Sequence, residues 1–370
     1  MKITDVTLTM FDWDDAARVQ YGAHNPIVDG SQIGLLTIAT DEGVTGQSFL
    51  GASFRSAEID AWSLIKLLKP AIMGRNPFDR GAINELLMSR IRSTTYRAIG
   101  AIDVALWDLA GKAAGLPVHQ LIGTCRPTVP AYASSATMSS FDAYIEESLA
   151  VKAAGYVGYK THPPLGVSID RIIDLHRKIR EAVGPEFILM LDASGHLDYA
   201  RALKLGEALK ELDFLWFEDP LPAEDVWTYV KLCQKLEIPV MATEYAPGSL
   251  RSYAPWITLH ATDALRGDVA VKGGITPCLM TAHLAHAFCM NYEIHHGGNS
   301  INNIANLHLA MAIPNCSMFE VLLPAEAQQY GVVNDLVVGT DGLMRCPEGP
   351  GLGVELDHDL IKRKTVAVLR

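Results

Sequence analysis

The chain has 370 residues, 49% of them apolar and 20% charged, and a formal net charge of −11. That length accommodates a full α/β barrel or two ordinary domains, and that balance belongs to a globular chain rather than a disordered one. The acidic surplus excludes phosphate-backbone binding, so no nucleic-acid partner is expected, and an anionic substrate would need a bound cation and local lysines to reverse the field.

Taken in chain order, Met1-Lys2-Ile3-Thr4-Asp5 opens a strand rather than a basic segment leading into an apolar run. Neither a signal peptide nor an eighteen-residue apolar span is expected, hence no membrane partner. The six cysteines (Cys125, Cys233, Cys278, Cys289, Cys316, Cys346) form no CxxC pair. They read as free thiols in a reducing compartment, and the expected location is cytoplasmic. Ile3 to Phe11 alternates, Gln32 to Thr40 is β-rich, and Val44 to Phe49 follows the Asp41-Glu42-Gly43 turn, so an antiparallel meander is expected. The long loop between, Asp12 to Ser31, contains Arg18, Tyr21 and His24, candidates for closing over a substrate.

From Ser56 to Gly115 the pattern is helical, clearest from Arg97 to Ala114, with Gly115-Leu116-Pro117 as the stop. Beyond Thr128, short apolar runs alternate with amphipathic helices about eight times: Val129–Ala133, Gly158–His162, Phe187–Asp192, Phe214–Glu218, Val240–Thr243, Leu265–Val269, Tyr292–His295 and Met318–Glu320. Strand then helix, so repeated, predicts a parallel (β/α) barrel. The expected division is an α+β capping domain over 1–125, the barrel over 126–325, and a return over 326–370 that packs on the cap.

Catalytic groups of such barrels gather where the strands end. Here the endings are Lys160-Thr161-His162, Asp192, Glu218, then Glu244 just past the fifth run, Asp268, His295-His296 and Glu320. Asp192, Glu218 and Glu244 stand 26 positions apart in turn on adjacent strands. Singly, each reads as a solvated helix cap. Together at one mouth they would repel severely without a hard cation, and an oxygen-only set suggests Mg²⁺. Such a cation stabilises the dianion formed when the proton α to a carboxylate is removed, with bases on either side supplied by the second and seventh strands.

Further motifs carry a resemblance. Ala98-Ile99-Gly100-Ala101-Ile102-Asp103-Val104-Ala105-Leu106-Trp107-Asp108-Leu109, Glu218-Asp219-Pro220, Gly273-Gly274-Ile275-Thr276 and Pro350-Gly351-Leu352-Gly353-Val354 resemble the enolase superfamily, mandelate racemase-like branch, over essentially the whole chain. The resemblance implies an enolase-type modified barrel under an α+β cap. It also implies Asp192, Glu218 and Glu244 as Mg²⁺ ligands, and His295 as a base or acid oriented by Asp268. Lys160 would hold a substrate carboxylate, Glu320 would donate a hydrogen bond to it, and Ser134 would touch it. A homo-oligomer, a dimer or larger even-numbered assembly, is implied too. Two departures stand out: His162 occupies the place of a lysine base, and Ser194 follows the first ligand where an asparagine is common.

Several readings stay open. His162 is a base or a core histidine beside Pro163, and His296 is a flanking substrate contact or, after a one-residue slip, the partner of Asp268. Asn299, Asn302 and Asn303 meet a substrate or satisfy their own loop. The first functional reading is dehydration of a sugar acid or related hydroxy acid to a 2-keto acid. The alternatives are a racemase or epimerase of a 2-hydroxy or related carboxylic acid, and a non-catalytic binding barrel.

Overall fold

A computed structural model describes residues 1–14, 19–22, 30–246 and 248–370; Arg18 and His24 lie outside the described residues. The first sheet is antiparallel, with strands β1 (Ile3–Trp13), β2 (Ser31–Thr40) and β3 (Thr45–Leu50). Gly43 at φ +80 lets the chain reverse between β2 and β3. Val6, Leu8, Leu36 and Ile38 bury one face of this sheet in a core shared with Ile99, Ile102 and Leu106 of helix Tyr96–Ala114. The Thr95 hydroxyl caps that helix at its start and Gly115, at φ +69, ends it.

Eight parallel strands then form the barrel: β4 (Val129–Ser134), β5 (Gly158–Thr161), β6 (Ile188–Asp192), β7 (Phe217–Glu218), β8 (Val240–Ala242), β9 (Ala264–Gly267), β10 (Asn291–Ile294) and β11 (Phe319–Leu322). Each coincides with one of the eight apolar runs, although β7 is shorter than its run. Hydrogen bonding passes without a break from β10 through β9, β8, β7, β6, β5 and β4 to β11, and no ladder joins β10 to β11, so the barrel is nearly closed. The strand–helix alternation fails at the end: a short 3₁₀ turn, Ala325–Gln328, follows β11. Pro324, with no amide hydrogen, and the β-branched Val332-Val333 are poor material for an eighth helix. Instead the chain runs down to β12 (Leu343–Met344), which pairs with β4, and β13 (Thr365–Leu369) joins the first sheet beside β1. No described helix is long and apolar enough to cross a membrane.

The cap is held on the barrel by helix Tyr96–Ala114 and the turn after β9. Asp103 Oδ2 accepts the Thr276 amide at 2.9 Å, and Trp107 Nε1 donates to Thr276 Oγ1 at 2.9 Å. Gly274 sits at φ +115 against the Asp103 carboxylate, where a Cβ would come within 2.3 Å of it. The helical motif and the Gly-Gly turn are therefore two halves of one contact. Asp108 on the same helix accepts the amides of Gln47 and Leu352, tying β3 and the C-terminal return to it.

Burial pushes the Asp103 carboxyl up from 3.8 to about 6, despite its hydrogen bonds from Thr276. A folded-state value above the unfolded one means that stability from protonated Asp103 is fully present below pH 3.8 and is lost as pH rises through about 6. This group is expected to remove about 2 kcal/mol of stability between those two pH values. Asp103→Asn keeps an acceptor for Thr276 without the ionisation, so urea unfolding at the two ends of the window should differ by that much less in the variant. An unchanged difference would refute the assignment.

Candidate active site at the barrel mouth

The alternation of side chains along a strand decides what enters the barrel, and the C-terminal ends of β5 to β11 decide what reaches its mouth. Asp192 ends β6, Glu218 ends β7 in register with it, and Glu244 stands two residues beyond β8. One carboxylate oxygen from each lies within 4.8 Å of the other two, and all three residues are buried. Burial, followed by repulsion from Asp192 and Asp219, holds the Glu244 carboxyl well above its usual range. Asp219, on left-handed backbone at φ 36, is raised to about 8 by burial and by repulsion from Asp192 and Glu218. Burial raises Asp192 as well, but His162 and Lys160 outweigh it and hold that carboxyl below its usual range. The Ser194 amide donates to Asp192 Oδ1 at 2.6 Å, so the backbone orients the first acid.

This donor set is all oxygen, buried and mutually repelling, and it fits a hard divalent cation. A second convergence of ligand-type atoms, His119, His308 and Cys346, does not. There His308 Nδ1 accepts the His119 amide at 3.2 Å and Nε2 donates to the Leu352 carbonyl at 3.1 Å, leaving neither nitrogen for a metal.

Beneath the trio lie two buried cations. Lys160 Nζ is 2.8 Å from Glu218 Oε2, 2.7 Å from Glu320 Oε1 and 3.6 Å from Asp192 Oδ2. Arg266 on β9 contacts Glu218 Oε1 through Nε and Glu320 Oε2 through Nη2, the latter at 2.6 Å. Burial pushes the Glu320 carboxyl up, but Arg266 and Lys160 outweigh burial and hold it well below the usual range. Its Oε2 accepts from Arg266 Nη2 at 2.6 Å and its Oε1 lies 2.7 Å from the Lys160 ammonium. It also accepts from the His296 amide at 3.0 Å. Ser134 is fully buried in register with Lys160 and is not part of the cavity wall.

Two imidazoles flank the trio. His162 Nδ1 is 2.7 Å from the Ser135 carbonyl, which can only accept, so this nitrogen carries hydrogen and Nε2 faces Asp192 Oδ2 at 3.1 Å. His295 Nδ1 is 2.7 Å from Asp268 Oδ2, and Nε2 is 3.2 Å from Glu244 Oε1. It is His295, not His296, that meets Asp268. Between Lys160 and His162, Thr161 donates outward to His176 Nε2 (2.7 Å), whose Nδ1 bonds the Ile172 carbonyl (2.6 Å). Burial lowers His176 to about 4, so it stays neutral and accepts that bond.

Above these groups is a cavity of about 750 Å³ whose wall includes Asp192, Glu244, His162, His295, His296 and Tyr21. The Tyr21 hydroxyl donates to the Leu323 carbonyl at 3.0 Å, and its ring meets His162 edge-on. The His296 ring lies 3.9 Å from that of His295 and is tilted 50° to it, and burial with that neighbour holds its pKa well below the usual value. Asn299, Asn302 and Asn303 bond the backbone of their own loop and of Gly51. The sequence reading passed over Arg266, and also Trp216, whose Nε1 reaches Glu218 Oε2 at 3.2 Å. Both stand two residues before a residue already singled out, Asp268 and Glu218, and so share its inward face.

Residues 23–123 match the family described as mandelate racemase/muconate lactonizing enzyme, N-terminal domain, and residues 143–360 match the enolase C-terminal domain-like family. The chain is 28% identical to the L-talarate/galactarate dehydratase of Salmonella typhimurium, over 92% of this chain and 84% of that one. It is 28% identical to a D-galactonate dehydratase of Xanthomonas oryzae pv. oryzae, over 89% and 90% of the two chains. The crystal structure of D-glucarate dehydratase from Agrobacterium tumefaciens, complexed with magnesium, superposes with a TM-score of 0.89 at 30% identity, covering 99% of this chain and 100% of that one.

With no cation between them the three acids oppose folding. Glu244→Gln should therefore raise stability in chelator-treated buffer by about 1–2 kcal/mol, read as a higher urea midpoint. A midpoint equal to or below that of the parent would show that the repulsion is already relieved by other means.

Proposed function

Since this chain belongs to the mandelate racemase/muconate lactonizing branch of the enolase superfamily, we propose that it removes the α-proton of a sugar acid and eliminates the β-hydroxyl. The enol so formed tautomerises to a 2-keto acid. Asp192, Glu218 and Glu244 would hold Mg²⁺, whose charge stabilises the enediolate when it is bound. What carries the reading is the pair of imidazoles, each with Nδ1 tied to a fixed acceptor and Nε2 turned toward the acidic trio.

His295 would take the α-proton at Nε2, with Asp268 fixing its tautomer and supporting the imidazolium that results. His162, its backbone pinned by Ser135 and Tyr144, would give a proton to the departing hydroxide. Lys160 would supply a permanent positive charge near the substrate carboxylate, since its acidic neighbours Glu218 and Glu320 outweigh burial and hold it charged. Tyr21 and the neutral His296 would close the wall around the polyol chain and limit water. In this reading residues 1–125 serve as the cap, 126–325 as the catalytic barrel and 326–370 as the return.

A second reading, racemisation or epimerisation, is favoured by the same two imidazoles, because bases on both faces of one carbon permit 1,1-proton transfer.

Galactarate, galactonate and glucarate, the acids in the relatives' names, are the first probes, followed by a wider set of sugar and hydroxy acids. With Mg²⁺, 2-keto acid should form and the α-position of remaining substrate should exchange in D₂O. A chelator should stop both. His295→Asn should lower kcat by a factor of about 10²–10⁴. Exchange with inverted configuration and no keto acid would replace the dehydratase with the racemase. No exchange with any acid, in a protein that does bind Mg²⁺, would leave the binding-barrel alternative.

A further inference from the structure

Among the described residues, Arg266 is the largest side chain that is fully buried. A guanidinium sealed in a barrel loses its hydration, a cost that only close and well-oriented partners offset. Its partners are Glu218 and Glu320, and both already have a cation in Lys160. The four side chains close a ring of alternating charge: Lys160, Glu218, Arg266, Glu320, and back to Lys160. Arg266 Nε also stands 3.9 Å from Glu244 Oε2, so the guanidinium faces two members of the acidic trio.

Stability alone does not call for this arrangement. An apolar side chain at position 266 with a neutral amide at 320 would fill similar space and leave Lys160 and Glu218 as a pair, an exchange that is often neutral or favourable. What the arginine adds is a fixed positive charge on Glu218, opposed to any cation that shares this carboxylate. It cannot be displaced by salt or by substrate, because it has no exposed surface.

We propose that Arg266 is a positioning residue that detunes the acidic cage: it fixes Glu218 and Glu320 in place, takes up part of their charge, and weakens the hold on a divalent ion. More of that ion's charge is then left for the carboxylate of the substrate. This rests on the metal reading given above. A mere strut would have the opposite signature, since its loss would misplace Glu218 and weaken metal binding.

The test is titration calorimetry with Mg²⁺ and no substrate. It is made in a Glu320→Gln background so that loss of the arginine leaves no unpaired acid in the ring. Against that parent, adding Arg266→Met should tighten Mg²⁺ binding by about tenfold or more, since a positive charge held against two of the three acids is removed. Adding Arg266→Lys, which keeps the charge, should leave the affinity near the parent's. In the same Met variant, KM for any turned-over acid should rise. Unchanged or weaker Mg²⁺ binding in the Met variant, equal tightening in the Lys variant, or a Met variant unable to fold would each overturn the proposal. Wild-type protein that takes up no Mg²⁺ would instead remove the metal reading itself.

Discussion

Repulsion among carboxylates gathered at one end of the barrel is the constraint that the surrounding residues answer. Asp192, Glu218, Asp219, Glu244, Asp268 and Glu320 are all buried there, where a charge without a partner costs several kcal/mol. Each finds a different answer. Glu320 is flanked by Lys160 and Arg266, Asp268 by the His295 imidazole and two backbone amides, and Asp192 by His162 and the Ser194 amide. Glu244 and Asp219 are served less well, and burial with repulsion from their neighbours holds both carboxyls above the usual range. A dication between the three strands would complete what the protein's own cations leave undone.

The same constraint explains how the site is braced. Side chains that must hold charges apart cannot be left to choose their own rotamers. Lys160 and His162 stand on the inner face of β5 while Thr161, between them, is anchored outward through His176 to a helix carbonyl. Asn306 bonds the Val269 amide and the His295 carbonyl, linking the loops that carry the two members of the Asp268–His295 pair. The cap contributes through one helix: Asp103 and Trp107 grip the turn that follows Asp268, so the wall of the cavity and its floor share a rigid support.

Much of this was legible in the residues alone. Eight apolar runs of strand length, the last seven each ending on or beside a titratable residue, specify a parallel barrel because side chains at strand ends have only the mouth to occupy. The even placing of Asp192, Glu218 and Glu244 on consecutive runs identified the trio for the same reason, whereas the pairing of Asp268 with His295 was implied by the family resemblance. The amphipathic spacing from Arg97 to Ala114 and the glycine after it located the capping helix. These are properties of periodicity, which the order of residues carries in full.

Other features depended on which faces meet in three dimensions. Arg266 in Leu-Arg-Gly-Asp looks like an ordinary exposed arginine until β9 turns its even positions inward against Glu218 and Glu320. The surroundings of Glu320 were equally hidden, because two cations converge on it from β5 and β9. Ser134 lies fully buried beside Lys160 within the barrel, a placement that only the pairing of β4 with β5 decides. The choice between His295 and His296 rested on one residue of register, which the Asp268 hydrogen bond decides. Periodicity along the chain thus determined which strands and which acids form the mouth. The charge state and partner of each group were decided only by distances across the barrel, because electrostatic energy depends on separation in space and not on separation in sequence.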